Sequence, residues 1–342
     1  MIQKNTVDPT PVDPLSEALS AMHMESSLLA IFNLPGLWSV AHPRKGGVVC
    51  HIVAEGTCFC NPAEGPTIEL GRGDLIAFPH GDPHTLASSP GLKGTPIAPL
   101  LDAIGHPVWT PQNQYPRPVR YWGNGPGART LVIDLVSAFP VPNRNLLLRA
   151  LPSVMHIRAE HLKVRSWLDF ALDMVASEPP KGTPGYAAAV SRMTDLIFIQ
   201  AVRTHLSIQA ADARGWLRGL FHPRISRALQ AIHHDPQRNW TVAQLATEAG
   251  MSRTPFALEF TACLELSPIR YLTEWRMHLA SRRLAEGVPI SVVADELGYA
   301  SPISFARTFR RVMGITPGGY RRGVTREDAI EAKPGTPHAQ LN

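Results

Sequence analysis

The sequence predicts an α+β protein of two domains: an N-terminal β-rich barrel, a helical connector, and a C-terminal all-α domain with two helix-turn-helix units. Residues 250–320 hold one pattern twice. Ser252, Phe256, Phe260, Ser267, Pro268 and Tyr271 return, each displaced by 49 residues, as Ser301, Phe305, Phe309, Thr316, Pro317 and Tyr320. Residues 48–78 instead string short β-rich runs between Gly, Pro and Asp turns, the pattern of a sandwich or barrel. Charge divides along the same line. Residues 218–322 carry 14 Arg against 8 Asp or Glu, a net +6, while the other 19 basic and 20 acidic residues net −1.

The 342 residues suffice for two separate cores, and 44% hydrophobic with 18% charged is ordinary globular composition. No run of eighteen apolar residues offers a membrane span, and the opening Met1-Ile-Gln-Lys-Asn5 lacks a signal-type apolar stretch. The expected location is the cytoplasm, with no membrane partner. Four cysteines, at 50, 58, 60 and 263, suit a reducing compartment better than a disulfide framework.

In the first domain, taken as residues 1–150, strands are expected at Val48–Ala54, Thr57–Cys60, Thr67–Leu70, Leu75–Phe78 and Arg129–Val136. Gly73-x5-Pro79-x-Gly81-x2-His84 resembles the second motif of the cupin barrel, with Ser88 where that motif often has Asn. Cupin enzymes hold a metal with two His and a Glu from a first motif and one His from the second. Counting back from Gly56 puts Val49 at the Glu, and only His42 lies in the region of the His pair, so the usual catalytic set is not intact. His51, two residues beyond Val49, shares its inward face. With His80 and His84 it would form a different site suited to zinc or another divalent metal. The alternative is hydrogen-bonded histidines without metal. Cys58 and Cys60, at i and i+2 on a strand, suit a redox pair or a shared metal, or else act as small apolar side chains.

Residues 90–130 are rich in Pro and Gly and read as a long irregular excursion over the barrel rim. In the connector, residues 151–217, helical spacing links Trp167, Phe170, Ala171 and Met174, then Met193, Leu196, Ile197 and Ala201, with a break at Pro179–Gly185. These stripes either form a homodimer contact or pack on the chain's own barrel. Residues 323–342 read as a polar tail.

In residues 218–322 each copy of the repeat reads as a helix-turn-helix. Val242, Leu245, Ala246 and Ala249 form an apolar face ending at Gly250, and Ile290, Val293, Ala294 and Leu297 do so before Gly298. A capped helix follows each, from Ser252 or Ser301, with its Phe pair on one buried face. A joining helix starts at Pro268, runs through Tyr271, Trp275, Leu279 and Leu284, and stops near Gly287. A rod of ~28 Å would hold two recognition helices near the ~34 Å spacing of successive major grooves on one DNA face. Arg253, Thr254, Ile303 and Ser304 lie where early side chains of a recognition helix reach bases, with Arg307, Arg310 and Arg311 as cationic neighbours.

Trp240–Ser252, Ser267–Leu272, Trp275–Met277, Gly298-Tyr299, Phe305–Arg311 and Thr316-Pro317 resemble the DNA-binding domain of the AraC/XylS family of bacterial transcription regulators. Two positions depart from it: Leu258 stands where members often carry a base, and Glu265 replaces the Gly whose counterpart is Gly314. The resemblance implies a sequence-specific regulator of promoter double-stranded DNA, commonly an activator working with RNA polymerase, with a cupin-like sensor for a small molecule, metal or oxidant. No catalytic residue is expected. The competing readings are a metal-dependent cupin enzyme fused to a DNA-binding module, and a DNA-binding protein that answers to no ligand.

Overall fold

The computed structural model describes residues 26–106, 119–138, 146–161, 181–208 and 222–322, with a few isolated residues between them. It divides into a sheet unit, residues 22–143 with 148–213, and a helical unit dominated by residues 214–342.

The described strands of the sheet unit are β1 (Ser26–Pro35), β2 (Ser39–His42), β3 (Gly47–Glu55), β4 (Cys58–Pro62), β5 (Ile68–Leu70), β6 (Leu75–Phe78), β7 (His84–Ala87), β8 (Thr95–Pro96), β9 (Val119–Trp122), β10 (Arg129–Ala138) and β11 (Met155–Ile157). They form a six-stranded sheet in the order β11-β6-β3-β10-β1-β9 and a five-stranded sheet in the order β5-β4-β7-β2-β8. The expected barrel is therefore not closed: among the described residues no ladder joins the two sheets. One core serves both, drawing Phe32, Val49, Val53, Phe78 and Val132 from the first and Val40, Cys58, Cys60, Leu70 and Leu86 from the second. Short helices α1 (Ala98–Asp102) and α2 (Leu146–Ala150) interrupt the connections.

Helix α3 (Tyr186–Ile208) packs on β1, β10 and β11, with Val190, Met193, Ile197, Phe198, Ala201 and Val202 buried. Most of its apolar stripe packs on the chain's own sheet while Leu196 stays exposed, and this part of the expected connector belongs to the sheet unit. The expected helix around Trp167–Met174 lies, apart from exposed Phe170, outside the described residues.

The helical unit comprises α4 (Ile225–His234), α5 (Val242–Glu248), α6 (Arg253–Leu264), α7 (Pro268–Ala285), α8 (Ile290–Glu296), α9 (Pro302–Met313) and α10 (Pro317–Arg321). Helix α4 is absent from the expectations above, although buried Ile225, Ala228, Leu229 and Ile232 have the i,i+3,i+4,i+7 spacing that would have found it. The repeat is reproduced in three dimensions. The Phe256–Phe260 and Phe260–Tyr271 centroids are 5.4 and 5.8 Å apart, and their counterparts Phe305–Phe309 and Phe309–Tyr320 are both at 5.7 Å. All five Phe and Tyr side chains other than Tyr320 are fully buried, edge or tilted contacts that add to their area burial.

The helix ends are less symmetric than the sequence suggests. Ser301 caps α9 by accepting from the Ser304 amide, and Thr241 caps α5 in a reciprocal box with Gln244, but the Ser252 side chain makes no cap bond to α6. At the other end, α9 stops on Gly314 at φ 76°, whereas α6 stops on Glu265 at φ 57°. A left-handed residue with a Cβ costs about 1–2 kcal/mol that Gly avoids. Glu265→Gly is therefore expected to stabilise the helical unit by about 1 kcal/mol, read as a raised midpoint in denaturant unfolding with unchanged slope.

Candidate functional site

Two places carry chemistry: the outward face of the helical unit and a buried histidine cluster in the sheet unit.

In the helical unit, α5 and α6 form the first helix-turn-helix and α8 and α9 the second, joined by α7. The 18 residues of α7 make a rod of ~27 Å. Burying one Phe face of each recognition helix turns the opposite face outward. Arg253 and Thr254 are exposed in the first turn of α6, and Leu258, one turn on from Thr254, is 69% exposed. In α9, Ile303 is 74% exposed and Ser304, Arg307, Arg310 and Arg311 are also on the surface. The Ser304 hydroxyl donates to the Ser301 carbonyl at 2.8 Å. Arg307, Arg310 and Arg311 line one groove with Ala306, Thr316 and Pro317. That is a concentrated positive surface beside the second recognition helix, of the kind that attracts phosphate.

A buried contact ties the two motifs together. The Arg276 guanidinium on α7 donates to the carbonyls of Pro236 (2.5 Å), Gln237 (3.0 Å) and Arg238 (3.0 Å), in the loop that leads into the first motif. It also lies 5.7 Å from the centre of the Tyr299 ring, in the turn of the second motif. Gly298 in that turn (φ 72°) sits so close that a Cβ would stand 2.2 Å from the Gln237 carbonyl oxygen. The 236–238 loop, the joining helix and the second turn are thus one packed joint, and no local sequence pattern announces it.

In the sheet unit, His51 on β3 and His84 on β7 come together as expected, but His80 does not join them. Its Nε2 donates to the Leu151 carbonyl at 3.1 Å instead, because it stands in the turn between β6 and β7. The third member is His42, brought next to His84 by the register of β2 on β7. The coordinating atoms of His42, His51 and His84 all lie within 4.8 Å of one another, and all three residues are buried. His51 Nδ1 lies 2.6 Å from Asp134 Oδ1, whose residue faces it directly across the β3–β10 ladder. His84 Nδ1 lies 2.8 Å from the Asp82 carbonyl, and the two Nε2 atoms of His51 and His84 are 2.6 Å apart. Burial first, then the neighbouring imidazoles, holds His42 and His84 well below the usual histidine range. Buried Lys45 is lowered by the same desolvation and partly restored by Asp134.

Cys58 and Cys60 share the inward face of β4, as the spacing predicts, but both are fully buried in the core and unbridged. Burial pushes each thiol up to about 12, which suppresses the thiolate that redox chemistry or metal ligation needs. Both sit in the core that the two sheets share, and Cys263 is buried at the end of α6.

Two outward recognition helices on a basic unit, attached to a sheet domain, define a DNA-binding transcription regulator. Comparison with known proteins agrees: residues 13–207 match the cupin family, and residues 245–323 match the helix-turn-helix domain family. An AraC-like transcription regulator of Streptomyces lividans is 30% identical across 92% of this chain and 99% of its own length. A second from Streptomyces antibioticus is 29% identical over 91% and 99%, and the regulator AlkR of Acinetobacter baylyi is 28% identical over 91% and 99%. The chain belongs to the AraC family of transcription regulators with an N-terminal cupin domain. No described helix is long and apolar enough to cross a membrane.

Proposed function

We propose that this regulator reads promoter DNA by laying α6 and α9 into successive major grooves of one duplex, and that α9 supplies most of the sequence-independent grip. The reading rests on the 49-residue repeat, which becomes two like motifs with unlike outward faces, joined by one helix of 18 residues. Arg253 and Thr254 reach base edges from the first helix; Ile303 and Ser304 do so from the second. Arg307, Arg310 and Arg311 hold phosphates. Leu258 and Ile303, both exposed and apolar, suit contact with thymine methyl groups. The regulator acts in the cytoplasm, alone or as a homodimer, and conveys an effector signal from the cupin domain to RNA polymerase as an activator. None of this requires a catalytic residue.

The fragment 218–322, with its net +6, is expected to bind duplex DNA by itself, with affinity falling steeply as salt rises. Arg307→Ala is expected to weaken every duplex to a similar degree and to lower the log–log salt slope by about 1, whereas Thr254→Ala costs about 1–3 kcal/mol at one base position and relaxes preference there. Fluorescence anisotropy titrations at several salt concentrations read both effects. An Arg307 variant with unchanged affinity and slope, together with no change of preference in the α6 variant, contradicts the assignment.

A further inference from the structure

We propose that His42, His51 and His84 form a three-imidazole site for a divalent ion of zinc type inside the sheet unit, with Asp134 as the carboxylate that orients His51. It goes beyond the DNA-binding reading, and its test uses no DNA.

Asp134 Oδ1 is an acceptor only, so the 2.6 Å contact fixes the His51 proton on Nδ1; the Asp82 carbonyl likewise fixes the His84 proton on Nδ1 at 2.8 Å. Each Nε2 then carries a lone pair, and these two lone pairs face each other at 2.6 Å. Two acceptors at that distance repel unless a cation lies between them. A shared proton is one candidate and a metal is the other.

Two features favour the metal. A third imidazole is already in place, with all three ligand nitrogens within 4.8 Å, whereas a shared proton needs only two. Nδ1–H bonded to a carboxylate or carbonyl is the outer arrangement that holds a metal-bound imidazole in one tautomer. Two nitrogens bound at ~2.05 Å to a tetrahedral ion stand ~3.3 Å apart, so the His51 and His84 rings part by a fraction of an ångström, while the widest separation in the trio, up to 4.8 Å, closes by about 1.5 Å. An all-nitrogen set selects a borderline ion such as zinc or cobalt over calcium or magnesium.

The usual cupin donor set does not fit here, because Val49 packs into the core where its Glu would stand. His51, on the same face of β3 two residues further on, takes the vacant role from a different height in the sheet.

The test strips the full-length protein with chelator, dialyses it against zinc or cobalt, and measures metal per chain. The expected result is about one ion per chain. Cobalt should give the intense visible bands of a tetrahedral site without the near-ultraviolet band of sulfur ligation. His51→Gln and His84→Gln should abolish both; Asp134→Asn should keep the stoichiometry but weaken affinity about 10–100-fold; His80→Gln should change nothing. The cobalt spectrum of the unaltered protein stands even if a variant fails to fold. Absence of metal after reconstitution, a sulfur band, or full binding by a folded His51→Gln protein would overturn the assignment and leave a shared proton between the two rings.

Discussion

Replacing Arg276 by alanine is expected to destabilise the helical unit by about 3 kcal/mol and to lower its melting temperature by more than 10 °C. The guanidinium is buried and satisfies three consecutive loop carbonyls at once. Hydrogen bonds to a charged donor contribute about 1.5–3 kcal/mol each, and carbonyls left without a partner lose part of that and regain part from water. Lysine keeps the charge but not the planar fork, so Arg276→Lys is expected to recover less than half of the loss. Thermal unfolding followed by circular dichroism reads the effect. An alanine variant as stable as the parent would mean that water replaces the clamp at no cost.

Gly298→Ala is expected to cost about 3 kcal/mol, although it adds one methyl group. Part is the left-handed backbone at φ 72°, worth about 1 kcal/mol. The rest is the 2.2 Å approach of the new Cβ to the Gln237 carbonyl oxygen, a clash with backbone that only a shift of the loop relieves. The turn glycine of the first motif provides the control. Gly250 has φ 64°, but its nearest neighbour is the end of the Arg227 side chain at 3.8 Å, so Gly250→Ala should cost only the backbone share. Because Arg276 and Gly298 both press on Gln237, the double variant is expected to lose less than the two single losses combined. Strict additivity would show that the joint is not a unit.

The helical unit was legible because its information is local. A period of 49 residues, apolar faces at helical spacing and Pro or Gly at the ends place α5 to α9 within a few residues. What the sequence hid there was the joint, since Arg276 lies 38 to 40 residues from the carbonyls it holds. The sheet unit was less legible for the same reason. Its strands were found by their β-rich runs, but register between distant strands decides which side chains meet. His80 looked like a partner of His84 because it is four residues away, yet β2–β7 pairing sets His42 opposite His84. Asp134 enters from β10, 83 residues beyond His51, and no motif marks it. Short strands with frequent turns left sandwich and barrel both open, and the barrel expectation came from the cupin-like motif; two sheets that share one core satisfy the strand pattern equally well.

Selection of bound sites from a random duplex library, using the full-length protein, decides whether one chain reads two segments of one duplex. The selected sequences should share two short preferred segments centred about 10 base pairs apart on one face of the helix. The preference within one segment should relax in the Thr254→Ala protein, and that within the other in the Ile303→Ala protein. A single preferred segment that responds to one of these changes only, or no preferred sequence at all, contradicts the two-segment reading.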